Sequence, residues 1–249
     1  MSKGRLNLTT KQVSLAATFA GIYAILNALP AFKILGGEGF INSSAFVEPI
    51  VGIILGPYIG GLSVLVGRVI ANAFVPSSPL GPFSPIPGVL TAFSSGMAVK
   101  GKWYVSAFVL YGLVVLFLAY PLNQVEPVFP YFIFLHAISG VLLILSSRIS
   151  SLKLPFFKMK TSKLLFGLGL IFFPSTLIGQ LSGTLVWEFL LAEGVTGVWK
   201  AFGMAIMLAF PVERALITVI ACILGAALVK ALKGLGIFMD QATVDVKGV

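Results

Sequence analysis

The sequence predicts an all-α, polytopic integral membrane helical bundle of six full spans plus one or two short or half-helices, with both termini cytoplasmic. Three observations predict it. The 249 residues are 58% hydrophobic and 10% charged, with a mean hydropathy of +1.04, where an ordinary soluble domain is about a quarter charged. Apolar stretches recur from residue 13 to residue 233 with only short polar breaks, which leaves no room for a soluble domain. The basic residues gather on alternate breaks. Residues 1–249 therefore read as one transmembrane domain with short cytoplasmic tails at 1–12 and 234–249.

A helix needs about 20 residues to cross roughly 30 Å of hydrocarbon. Eight apolar runs meet or approach that length, at 13–30, 41–58, 59–76, 87–99, 103–121, 130–148, 164–185 and 203–232. The first follows a basic start, and no small-residue cleavage pattern closes it, so it reads as a retained helix and not a signal peptide. The second and third form a hairpin hinged at Gly56-Pro57, with Gly60-Gly61 just beyond. The fourth is too short to cross comfortably alone. A half-span inside the bundle is expected there, where protein or a water-filled cavity satisfies the backbone. The last region is too long for one crossing and carries Pro211. A segment over residues 199–210 is expected at the outer face, with the final helix starting near Pro211, because first-turn amides have no helical partner to lose.

Eight crossings place Lys3, Arg5, Lys11, Lys100, Lys102, Arg148, Lys153, Lys158, Lys160, Lys163, Lys230, Lys233 and Lys247 on one side, and only Lys33 and Lys200 on the other. By the positive-inside rule the rich side is cytoplasmic. Fusing the two runs around Gly56-Pro57 into one helix would move Lys100 and Lys102 outside, so the charge pattern supports the hairpin. The net charge of +9 thus reports topology and not nucleic acid. The single cysteine, Cys222, excludes disulfides.

Polar residues are costly inside a bilayer, so their presence asks for a function. On this topology they gather in the outer half: Asn42, Ser43, Ser44 and Glu48; Asn72; Asn123 and Glu126; His136; Gln180, Ser182 and Thr184; Trp187 and Glu188; Glu213 and Arg214. One-sidedness is what an externally open small-molecule pocket requires. The competing reading is structural, with Arg68 pairing Glu48 across the hairpin and Arg214 pairing Glu213 or Glu188. The proline-rich stretch 76–87 is expected to be stiff and extended, serving either as a lid over the bundle mouth or as a plain connector. Trp187 shares neighbouring helix faces with Gln180, Thr184 and Glu188, and could stack on a flat heteroaromatic ligand.

Enzymatic signals are weak. His136 is the only histidine, and no Gly-x-Ser-x-Gly, His-Glu-x-x-His or phosphate-cradling Gly-x-x-x-x-Gly-Lys-Ser/Thr pattern occurs. No catalytic residue, metal site or cofactor is assigned, and any ATP-driven work must come from another subunit. On the first span Ala16, Ala20 and Ala24 repeat every fourth residue, with Ala17 and Gly21 beside them. Such a flat stripe lets a second helix approach closely, either within the chain or from a partner membrane subunit.

The Ala16-x-x-x-Ala20 stripe, the Gly56-Pro-x-x-Gly60 turn followed by Gly67, the run from Pro87 to Gly96 ending in Lys100-Gly-Lys102, and the last helix with Phe210-Pro-x-Glu213 together resemble the substrate-binding S components of energy-coupling factor (ECF) transporters. The resemblance spans most of the chain. It implies a compact bundle that captures a vitamin or similar micronutrient beneath its external loops. Partners would be a transmembrane T subunit, docked on Ala16, Ala20 and Ala24, and two cytoplasmic ATPase subunits. By analogy the pocket draws on Asn42, Glu48, Asn72, His136, Gln180, Trp187 and Glu213. S components usually have six helices, so two of the eight runs are expected as half-helices, or the chain is an enlarged relative. Two other classes stay open: a self-contained secondary transporter using Glu48, Arg68, Glu213 and Arg214 as coupling or substrate charges, and a structural membrane protein.

Overall fold

A computed structural model describes residues 9–33, 40–74, 80–120, 129–148, 160–191 and 193–234. Within them the chain forms eight helices: α1 (Thr10–Asn27), α2 (Glu48–Leu55), α3 (Pro57–Phe74), α4 (Pro85–Val99), α5 (Trp103–Ala119), α6 (Phe129–Arg148), α7 (Thr161–Leu191) and α8 (Glu193–Gly234). A short antiparallel ribbon of β1 (Pro30–Lys33) and β2 (Phe40–Asn42) follows α1. Three helical stretches, Pro57–Phe74, Thr161–Leu190 and Leu208–Leu232, are long and apolar enough to cross a membrane. Asn123, Glu126 and the side chains of Trp199 and Lys200 lie outside the described residues.

Local chemistry sets the boundaries. Thr9 caps α1 through a reciprocal pair of bonds, Gln12 N to Thr9 Oγ1 at 3.3 Å and Thr9 N to Gln12 Oε1 at 3.0 Å. Gly56 breaks α2 from α3 with φ of 78°, a left-handed value that favours glycine. Pro57 then opens α3 where its missing N–H is not needed. The same logic corrects the expectation for the proline-rich stretch: residues 81–83 form a 3-10 turn, and Pro85-Ile86-Pro87 are the first turn of α4 and not extended chain.

Pro211 does not start a helix. It lies inside the 42-residue α8, so the expected break between a surface segment at 199–210 and a separate last helix is absent. The physical reason is the hydrogen-bond balance: a proline inside a helix forfeits one N–H bond, whereas ending the helix exposes several amides and carbonyls in apolar surroundings. Pro174 is accommodated within α7 in the same way.

The short α4 is the packing centre, in contact with α2, α3, α5 and α7. Close backbone approach needs glycine at its crossings. A Cβ on Gly52 would lie 2.0 Å from Ala92 O, one on Gly96 2.6 Å from Pro57 N, and one on Gly179 2.1 Å from Thr91 Oγ1. Serines tie the helices further, Ser95 Oγ donating to Pro49 O at 2.9 Å and Ser106 Oγ to Ser94 O at 2.7 Å. The largest apolar cluster surrounds this junction and includes Tyr23, Ile50, Ile54, Leu110, Leu168 and Phe172. A second, smaller one joins Phe117, Phe132, Leu177, Leu181 and Phe210 between α5, α6, α7 and α8.

Candidate functional site

Two polar groups interrupt this apolar interior. The first is built where α1 ends and where α2 and α4 begin. Tyr23 and Asn27 project one turn apart from α1, both buried. Asn27 Oδ1 accepts from Asn42 Nδ2 at 3.1 Å and from Ser44 Oγ at 3.2 Å, while Leu29 O accepts from Ser43 N at 2.8 Å. These bonds fasten the ribbon and the 3-10 turn Ser43–Phe46 over the end of α1.

Beneath them Tyr23 OH donates to Glu48 Oε1 at 2.9 Å. Arg68 and Asn72, one turn apart on α3, both reach Ser84: Arg68 Nε donates to its Oγ at 3.1 Å and Asn72 Nδ2 to the same atom at 2.7 Å. Gly88 makes this convergence possible, since a Cβ there would meet Tyr23 OH at 2.7 Å and Glu48 Oε1 at 2.8 Å. Glu48 does not pair directly with Arg68. Its carboxylate is held by a neutral hydroxyl, with the Arg68 and Arg214 charges acting on it through space.

The second group lies on α6 and α7. His136 is fully buried, with Nδ1 facing Phe132 O at 3.0 Å and Nε2 facing Gln180 Oε1 at 2.7 Å. Both facing atoms are acceptors, so a neutral ring, with one N–H, satisfies them together only when the Gln180 amide turns to present its nitrogen. Gln180 Nε2 also lies 3.3 Å from Thr184 Oγ1. Phe210 stacks on the imidazole at 5.8 Å and 15°, and Phe132 lies 5.1 Å from it. Trp187 is half-buried against this smaller apolar cluster.

Arg214, one turn beyond Phe210 on α8, lies between the groups. It forms an ion pair with Glu213, and its charge acts on both Glu48 and His136. Of the residues singled out from the sequence, Asn42, Glu48 and Asn72 thus fall in the first group, His136, Gln180 and Trp187 in the second, and Glu213 at the link.

Sequence reasoning missed Tyr23, Asn27, Ser84 and Thr91. The spacing of Tyr23 and Asn27 was the available signal for the first two. The small stripe on α1 turns inward: Ala20 is 5% exposed, Ala20 O lies against Gly67 of α3, Ala16 O accepts from Ser63 Oγ at 2.7 Å, and Ala16 and Ala24 are half-buried. Ser14, Ala17, Thr18 and Gly21 form the exposed small face instead.

Among the described residues no three His, Cys, Asp or Glu side chains cluster as a metal site. The first group brings carboxylate, guanidinium, hydroxyl and amide groups together in an apolar setting. No protein-family model matches the chain, and no solved structure matches it. It is similar to an uncharacterized protein of Methanocaldococcus jannaschii, 28% identical over 156 residues that cover 62% of this chain and 51% of that protein. The matched region therefore spans about half the length of this relative.

Proposed function

We propose that this chain is the membrane-embedded substrate-binding subunit of an ECF-type importer, which takes a vitamin or similar micronutrient from outside and hands it inward through a T subunit and two ATPase subunits. The observation that carries the reading is the buried Tyr23–Glu48 and Arg68–Ser84–Asn72 group, assembled from α1, α2, α3 and the start of α4 beneath a tethered ribbon. Placement in a bilayer agrees with the large apolar side chains turned outward, among them Ile25, Phe74, Phe108 and Val219. Gly56 packs against Lys100, which supports a cytoplasmic position for the α2–α3 turn under the positive-inside rule. The polar group then lies toward the opposite, external end, and both termini are cytoplasmic.

In this reading the T subunit docks on the exposed small face of α1, since Ala16 and Ala20 are engaged by α3. Copurification of the chain with T and ATPase subunits tests it, with loss of the complex expected for Ala17→Leu with Gly21→Leu. Robust uptake by the purified chain alone under an ion gradient would show a secondary transporter instead. Native mass spectrometry of gently purified protein should find a retained small molecule, which a purely structural protein would lack.

A further inference from the structure

We infer that the Arg68–Asn72–Ser84 patch is an oxyanion cradle, and that the substrate of the proposed pocket carries a carboxylate which binds there. The inference rests on the importer reading for its substrate and on hydrogen-bond accounting for its chemistry.

Arg68 is 8% exposed. Its guanidinium brings five N–H donors and no acceptor. Among the described residues it makes one hydrogen bond, from Nε to Ser84 Oγ, so the terminal N–H groups of the fork are left without an acceptor. Ser84 adds to the surplus. Its oxygen receives both Arg68 Nε and Asn72 Nδ2, which occupies its two lone pairs, and among the described residues its own proton has no acceptor. Turning the Asn72 amide gives that proton an acceptor but moves the surplus to the amide nitrogen, so either orientation leaves donors in excess. Glu48 does not relieve them: it forms no ion pair with Arg68, and its Oε1 is held by Tyr23.

The backbone points the same way. α2 begins at Glu48 and α4 at Pro85, and Gly88 in the first turns of α4 packs directly on the Glu48 carboxylate. The N-terminus of α4, with a partial positive charge of about half a unit, therefore begins at Ser84 itself, whereas that of α2 already carries the Glu48 carboxylate. A patch with this surplus of donors lacks a group with several lone pairs in one plane. A carboxylate supplies that to a guanidinium fork in bidentate geometry. Because Arg68 is turned into the bundle, the acceptor is a small soluble molecule and not a lipid headgroup.

Formate and acetate serve as minimal probes. The thermal unfolding midpoint of the purified full chain is measured against increasing sodium formate or acetate, with sodium chloride at equal ionic strength as reference. A saturable rise is expected for the wild type, with apparent affinity weakened about tenfold or more in Arg68→Met by loss of the charge-assisted bonds. An equal rise in both proteins, or none in the wild type, overturns the inference. Where Arg68→Met does not give folded protein, Arg68→Lys keeps the charge but not the fork, and it should weaken formate binding while leaving the chloride baseline unchanged; unaltered formate affinity overturns the inference. Repeating the titration in phosphatidylcholine nanodiscs with and without phosphatidylglycerol separates the sources. A formate response abolished by phosphatidylglycerol would assign the patch to a lipid headgroup. A chain that ignores carboxylates yet copurifies with T and ATPase subunits loses this inference alone, whereas one that binds them but recruits no such subunits loses the importer reading alone.

Discussion

The two polar groups in this bundle differ in how completely they are satisfied. Around His136 both ring nitrogens have a partner once the Gln180 amide presents its nitrogen, Gln180 reaches Thr184, and Phe132 and Phe210 close over the ring. Around Arg68 the opposite charge is near but not touching, and donors outnumber acceptors. A saturated network holds helices together, whereas an unsaturated one in the same apolar setting has capacity for a ligand. Polar residues of one composition can therefore differ in how many donors they leave unpaired, and that difference is what motivates the proposed binding site.

The severest test of this division is Arg214, which links the groups. Arg214→Met leaves Glu213 without its ion-pair partner, and should lower unfolding stability by about 3–5 kcal/mol, as for a broken buried ion pair. Denaturant titration in detergent reads this. A smaller but clear loss, about 1–3 kcal/mol, is expected for His136→Leu, which strands Gln180; adding Gln180→Leu should recover part of it, because removing both partners is milder than removing one. If the double variant is no better than the single, the second group is not the closed network described above.

Tyr23→Phe removes the hydroxyl from Glu48 Oε1 and should cost about 1–3 kcal/mol, together with weaker retention of any copurified small molecule. The smallest effect on stability belongs to Arg68→Met, within about 1 kcal/mol of wild type, since the change breaks no ion pair among the described residues and gives up one hydrogen bond to a Ser84 oxygen that keeps Asn72. A stability loss there as large as that of Arg214→Met would erase the contrast between the groups and make Arg68 a structural residue.

Much of the framework was legible because it depends on local covalent properties. Glycine and proline at 56 and 57 mark a turn in any context, and the shortness of the fourth run foretold a helix enclosed by others. Side-chain partners are less legible, because they depend on helix rotation and crossing distance. The sequence suggested Arg68 with Glu48; the crossing at Gly88 put Tyr23 against Glu48 instead and left Arg68 to Ser84. The alanine stripe on α1 had two possible uses, and the proximity of Gly67 decides for α3. Pro211 misled because a local breaker signal competes with the larger penalty of opening a helix in apolar surroundings. The ribbon of four and three residues carries no alternation long enough to be seen in the sequence.

The brevity of α4 bears on how the chain is made. Its 15 residues reach about 22 Å, short of a hydrocarbon layer of roughly 30 Å. α4 leaves the ribosome soon after α2 and α3, which cover one side of it, but α7, which covers another at Gly179, begins only at Thr161. Until α7 arrives the Thr91 side of α4 has no lid, so the nascent bundle holds an incomplete and wettable seam. In a bilayer, settling of α4 should then wait on a helix from the far half of the chain. Ribosome-stalled chains ending after α6 should leave a cysteine at position 91 open to a water-borne thiol reagent, and chains extended through α7 should protect it; equal protection in both would mean that α4 settles without α7.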